Sequence, residues 1–356
     1  MPFELLSLLG LAGLGVLLCL VLLLTNLLLM RRGKRLLLSA AENGVLYEES
    51  LRPGAEWDEE EYLLAERPEV ESPEAEAETE IRQSAYKADP VFTPLGREEG
   101  GAVIGSLRLT VGNAQILGAR EEQQDAFAIT PIEEAGILLG HGVMAVVCDG
   151  MGGLKNGKDA ANAAALRFMR AYLEASPPLD EAMLQGVFAA NDAVFEVSRA
   201  KASRMGTTLS AAAVTRGGLW FVSVGDSHIY LHRNEKLYQL STDHNYYAEL
   251  LERARRGEIT LEEARSNPER GHLTSYLGKE NLEKIDANAE PLALRPGDRI
   301  MLATDGLFKT VSAARMQEIL TRSGRGAHEE LMHEAESARK PRQDNATVVI
   351  LYIDAV

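Results

Sequence analysis

Two long amphipathic segments follow one another in the middle of the chain, with strand-like blocks on either side and none between them. Residues 158–175, KDAANAAALRFMRAYLEA, and 179–200, LDEAMLQGVFAANDAVFEVSRA, repeat apolar residues every three or four positions, the period of a helix with one buried face. Before them, SLRLTVGNAQ (106–115) alternates like a half-buried strand and GVMAVVCDG (142–150) is a short apolar run of central-strand type. After them, residues 207–240 read as four strands separated by a Gly-Gly turn, a short turn and RNEK, an antiparallel meander. Strands alternating singly with helices would make a parallel, doubly wound sheet. Strands gathered in blocks around helices favour an α+β fold, a sandwich of two antiparallel sheets flanked by helices.

Several of these strands end in aspartate. MAVVCDGMGG (144–153) and RIMLATDGLF (299–308) both run an apolar strand into Asp-Gly. Asp149 follows AVVC, Asp226 follows FVSVG, Asp305 follows IMLAT, Asp344 precedes Asn345 ahead of the terminal strand ATVVIL, and Asp125 closes REEQQD. One Asp-Gly pair is ordinary turn chemistry. Five carboxylates at the ends of apolar strands need a shared counter-charge, because an unpaired buried carboxylate is costly. Hard divalent cations, Mg²⁺ or Mn²⁺, take oxygen ligands of this kind without any His-Cys cluster.

A rival lies in the same stretch. GGLKNGKD (152–159) has the Gly, four residues, Gly-Lys spacing of a phosphate loop after a strand. Asp159 stands where that loop needs Ser or Thr, and a carboxylate there repels a triphosphate, so a nucleotide-binding ATPase is the weaker alternative.

The N-terminal third has a different character. Residues 5–30 carry no charge and, at about 1.5 Å per residue, are long enough to cross a hydrocarbon core of about 30 Å. Glu4 precedes the run and no Lys or Arg does, so it reads as an uncleaved anchor rather than a secretory signal. Arg31, Arg32, Lys34 and Arg35 follow at once, which predicts a single-pass membrane protein with its remainder in the cytoplasm. Between Glu42 and Asp89 stand sixteen acidic and four basic residues with scattered prolines, the composition of an extended, solvated tether. The expected division is therefore anchor and basic flank (1–35), acidic linker (36–100) and globular domain (101–356). A formal charge of -16 argues against a nucleic-acid binder. The two cysteines, Cys19 in the apolar run and Cys148 in a strand, imply no disulfide framework.

The ordered motifs REEQQD (120–125), VVCDGMGGLKNGKDAA (146–161), MGTTLSAAAV (205–214), VSVGDSHIYL (222–231), STDHNY (241–246), LATDGLFKTVS (302–312) and QDNATVVIL (343–351) resemble the metal-dependent Ser/Thr protein phosphatases of the PP2C (PPM) family, bacterial type. The resemblance implies a PP2C-like sandwich with a dinuclear Mn²⁺ or Mg²⁺ site at the sheet ends. It implies that Asp149 bridges both ions, that the Gly150 carbonyl is a further ligand, and that Asp305 and Asp344 complete the first ion's set. Asp125 matches an acidic residue near the second ion, and Asp226, with Asp305, the outer ligands of a weaker third. Arg120 matches the family's phosphate-binding arginine, residues 246–272 its variable flap, and His244 a residue at the flap base. The implied substrates are phosphorylated proteins, those of a Ser/Thr kinase.

Departures from the pattern mark where this chain differs. Gln124 stands where many relatives have a metal-binding Glu, Met151 where many eukaryotic members have His, His228 where Arg is usual, and Lys309 where an acidic residue is frequent. They raise a second alternative, a catalytically weak phosphoprotein-binding module.

Overall fold

The computed structural model describes residues 102–130, 140–151, 153–175, 178–282 and 284–356. Among the described residues, twelve strands lie in two antiparallel sheets. The first contains β1 (Ala102–Ile104), β2 (Leu107–Ile116), β8 (His228–Arg233), β9 (Lys236–Gln239), β11 (Arg299–Ala303) and β12 (Ala346–Ala355), in the order β1-β2-β12-β11-β8-β9. The second contains β3 (Asp125–Ile129), β4 (Val143–Met151), β6 (Leu209–Thr215), β7 (Gly218–Val224) and β10 (Asp286–Ala287), in the order β10-β7-β6-β4-β3, with β5 (Gly206–Thr207) paired to the end of β4.

Side chains alternate across each strand, so each sheet has an inner and an outer face. On β4, Val143, Ala145 and Val147 face the other sheet, where they meet Ile300, Leu302, Val349 and Leu351. The intervening Met144, Val146 and Cys148 pack against Phe168, Met169, Tyr172 and Val187 of α1 (Gly153–Glu174) and α2 (Leu179–Ala200). The outer face of the first sheet offers Met301, Ala303, Val348 and Ile350 to Met316, Ile319 and Leu331 of α6 (Ala313–Arg322) and α7 (Ala327–Ser337). The layers are thus helices, sheet, sheet, helices, which is the expected α+β sandwich. The smaller helices are α3 (Tyr246–Arg255), α4 (Leu261–Ser266) and the single turn α5 (Asp305–Phe308).

The meander expected over 207–240 is divided. β6 and β7 form a hairpin in one sheet, while β8 and β9 form another in the opposite sheet. The crossing is made at Gly225, whose φ of +107° favours glycine and whose Cβ would stand 2.6 Å from Thr208 Cγ2. Local alternation does not encode which sheet a strand joins. Asn234 and Glu235 both take positive φ at the β8–β9 turn, the geometry that matches the twist of a two-residue hairpin.

Among the described residues no helix is long and apolar enough to cross a membrane. The expected anchor and acidic linker lie outside the described residues.

Candidate active site

The register of β3 on β4 sets Asp125 directly opposite Asp149. Like charges facing across an antiparallel pair repel, so something else must hold them there. For Asp125 it is two hydroxyls from the other sheet: Thr304 Oγ1 and Thr347 Oγ1 donate to its Oδ2 at 2.8 and 2.6 Å. Burial nevertheless pushes its carboxyl up to about 7, Asp305 and Asp344 adding to the effect and the two hydroxyls opposing it. Asp149 is held by its backbone. Its N–H donates to Thr208 Oγ1 at 2.9 Å, and its carbonyl accepts from Thr208 N at 3.0 Å and Thr207 Oγ1 at 2.8 Å. Burial raises its carboxyl well above the carboxylate range, with Asp305, Asp125, Asp226 and Asp344 all contributing repulsion. The four other aspartates expected from the sequence at strand ends therefore all lie within electrostatic reach of Asp149.

Two of them are answered by cations of the chain. Arg120 Nη2 donates to Asp344 Oδ2 at 2.6 Å, and Asp344 Oδ1 accepts from the Asn345 N–H at 2.8 Å. Arg120 is half exposed, and its pairing with Asp344 raises its pKa against the effect of burial. Lys309, one turn after Asp305, donates to Asp305 Oδ2. Asp305 Oδ1 is buried and has no hydrogen-bond partner. Asp226 lies in the turn between β7 and β8, pushed up to about 6 by burial and Asp305, with Lys309 opposing. Among the described residues no three His, Cys, Asp or Glu side chains close into a ready-made chelate.

Gly150 is fixed by close backbone approach. A Cβ there would stand 2.1 Å from the Gly157 carbonyl oxygen and 2.6 Å from that of Gln124. The Gly150 N–H donates to that same Gln124 carbonyl at 3.2 Å, and Gln124 N donates to Asn345 Oδ1 at 2.8 Å. Gly157 and Lys158 lie inside α1 rather than in a loop, and Lys158 sits 3.8 Å from Glu122. The phosphate-loop alternative therefore lacks its loop, and Gly157 has a packing role instead.

A divalent cation fits this arrangement. An orphaned buried oxygen on Asp305, buried carboxylates pushed upward by one another, and a glycine that brings its backbone close are the donor chemistry that Mg²⁺ and Mn²⁺ take.

Other expected residues divide by role. His244 is buried, its Nδ1 accepts from the Gly225 N–H at 3.2 Å, and burial holds its pKa down at about 4, so it ties the sheet crossing to the start of α3. His228 stacks on Phe308 with ring centroids 3.7 Å apart, with Nδ1 2.6 Å from Tyr230 Oη and Nε2 2.7 Å from Asp243 Oδ1. Burial works to raise Asp243, but His228, Gln239 and Asn245 hold it below the usual carboxylate value. Burial pushes the Cys148 thiol far up, with Asp125 and Asp149 adding, so it is strand core and not a nucleophile. In the basic run of the flap segment, Arg253 and Arg256 pair with Glu258 and Arg255 with Glu252. Thr208, Thr304, Thr347 and Asn345, which hold the aspartates and Gln124 in place, were not singled out from the sequence. Their signal was present in MGTTLS, LATDG and DNATVV, where each hydroxyl or amide adjoins a conspicuous motif.

The description "Protein phosphatase 2C" belongs to the family model that matches residues 117–335. The chain belongs to that family. The serine/threonine phosphatase stp of Listeria innocua is 34% identical over 182 residues, 49% of this chain and 70% of that protein. Among solved structures, the PPM Ser-Thr phosphatase MsPP of Mycobacterium smegmatis, in complex with cacodylate, is 32% identical with a TM-score of 0.56, covering 69% of this chain and 98% of that one. The catalytic domain of the serine threonine protein phosphatase PstP, in complex with two manganese ions, is 26% identical with a TM-score of 0.55, covering 70% and 99%. The protein is accordingly an enzyme, a serine/threonine phosphatase of the bacterial 2C type. Dinuclear metal catalysis with Mg²⁺ or Mn²⁺ is general for the family.

Proposed function

We propose that this phosphatase hydrolyses phosphoserine and phosphothreonine in proteins at the carboxylate cluster, tethered to the cytoplasmic face of a membrane. The observation that carries the site is the convergence of five aspartates from both sheets on a place where Asp305 keeps an unpartnered buried oxygen. In this reading Asp149 and the Gly150 carbonyl would hold two divalent ions, with Asp305 and Asp344 completing the set of one and Asp125 near the other. Bound there, such ions would acidify a water and offset the charge of the phosphoryl oxygens. The chain's own groups do the rest. Arg120, half exposed beside Asp344, presents a planar fork that holds two phosphoryl oxygens and orients phosphorus for in-line attack. Thr304, Thr347 and Thr208 keep Asp125 and Asp149 from recoiling. Met151, half-buried at the end of β4, has no proton to give, so protonation of the leaving oxygen falls to water.

The full-length enzyme in detergent with Mn²⁺ is expected to release phosphate from a phosphothreonine peptide. Loss of that release on substituting Asp149→Asn supports the site; unchanged release rejects it. The tether rests on residues 5–30, the basic flank and the acidic stretch. In intact cells, a reporter fused after residue 356 should be active only in the form that works in the cytoplasm, and a signal from the opposite side reverses the topology. Phosphoproteomes of cells with and without the protein would identify the substrates and the opposing kinase.

A further inference from the structure

Lys309 departs from the family pattern, and its surroundings give the departure a meaning. It follows the single turn α5 and its N–H donates to the Asp305 carbonyl at 2.9 Å. Its own carbonyl accepts from Lys340 Nζ at 2.9 Å. On one side, therefore, the backbone is fixed to α5, and on the other to the loop before β12. Phe308, the preceding residue, is stacked on His228. With its Cα so confined, the side chain turns back one helical turn onto Asp305, the favourable i, i+4 geometry.

Asp305 then divides its two oxygens. Oδ2 is taken by Lys309, while Oδ1 stays buried and unpartnered toward the interior. Asp226 and Asp149 also lie within electrostatic reach of the ammonium. An isolated exposed ion pair would mean little. Here one ammonium faces several aspartates, two of which, Asp226 and Asp305, are the residues expected to take a third, outer ion. A dication brought to that pair meets a fixed positive charge and an oxygen already used. The residues do not fit a third ion as they fit the inner two.

We propose that the Lys309 ammonium is the resident cation of the outer pair Asp226 and Asp305, and that it excludes a further divalent ion from it. The enzyme then works with two ions and supplies the outer charge from its own chain. This inference rests on the dinuclear reading above, and the two are separable by counting ions.

The experiment titrates the full-length enzyme in detergent, stripped with EDTA, with Mn²⁺, and reads free Mn²⁺ by electron paramagnetic resonance. Wild type should bind two ions and stop. Lys309→Gln should admit a third, its affinity raised at least about tenfold over any third ion in wild type, since a full charge has been removed beside a dication. Lys309→Arg should keep the count at two, and Lys309→Gln with Asp226→Asn should return it to two. A count of two in Lys309→Gln, or a third ion bound equally by wild type, overturns this inference alone. No Mn²⁺ on any of the proteins overturns the dinuclear reading and this inference with it. Thermal melts of the EDTA-stripped variants check that all are folded.

Discussion

The inner carboxylates and the outer ones are held by different means. Asp125 and Asp149 face each other at the ends of β3 and β4; threonine hydroxyls hold the Asp125 carboxylate and the Asp149 backbone, and among the described residues neither side chain is in a salt bridge. Asp344 and Asp305 are met by Arg120 and Lys309. Hydroxyls steady a carboxylate without neutralising it, so the inner pair keeps its need for positive charge, whereas the outer residues have part of theirs satisfied. The inner pair calls for added positive charge, while Asp344 and Asp305 call for less on the oxygens that face Arg120 and Lys309, and Asp305 keeps its buried Oδ1 unpartnered.

The sharpest way to break this contrast is Asp149→Asn. Turnover should fall by at least about a hundredfold, the scale of losing a central electrostatic group. The EDTA-treated variant should melt higher than wild type, because a buried source of repulsion is gone; a lower melting temperature would contradict the inner assignment. Next, Gly150→Ala forces a Cβ into the Gly157 and Gln124 carbonyls, and should weaken Mn²⁺ binding by about tenfold to a hundredfold in a calorimetric titration.

Arg120→Ala tests the outer side. A drop in kcat/KM of about tenfold is expected, partly restored in Arg120→Lys, with little change in stability because the Arg120–Asp344 pair is well exposed. A subtler difference lies in pH. Asp125 stands at about 7 when folded against an ordinary 3.8, so the folded protein binds more protons than the unfolded one between those values. Its contribution is fully present below about 4 and is lost as pH rises through about 7. Urea melts of the metal-free enzyme should show wild type losing stability across that window relative to Asp125→Asn; parallel curves would remove Asp125 from the inner pair. Smallest of all, Arg256→Ala in the flap should alter activity by less than about twofold, since its exposed partner is Glu258.

Much of this was legible because strands and helices announce themselves locally. The amphipathic run 179–200 matches α2 in both its bounds, and the apolar runs ending in Asp149 and Asp305 are β4 and β11. Two kinds of information were not local. The hydroxyls on Asp125 come from 179 and 222 residues away, a relation no spacing rule expresses. The division of residues 207–240 between two sheets depends on which surface each strand finds to cover. α6 and α7, absent from the sequence reading, cover the outer face of the first sheet. Asp305 and Lys309, at i, i+4, are legible in the sequence as a pair as well as a departure from the family pattern.

The place of β12 in the first sheet carries a consequence for synthesis. It is the last of the described strands along the chain, yet it lies between β2 and β11, pairing with one over residues 346–355 and with the other over 348–352. A ribosome that stalls before residue 344 releases a polypeptide with its first sheet open down the middle and without Asp344, Asn345 or Thr347. Such a fragment is not a slower enzyme but an unassembled one, so dephosphorylating capacity begins only once translation has passed β12.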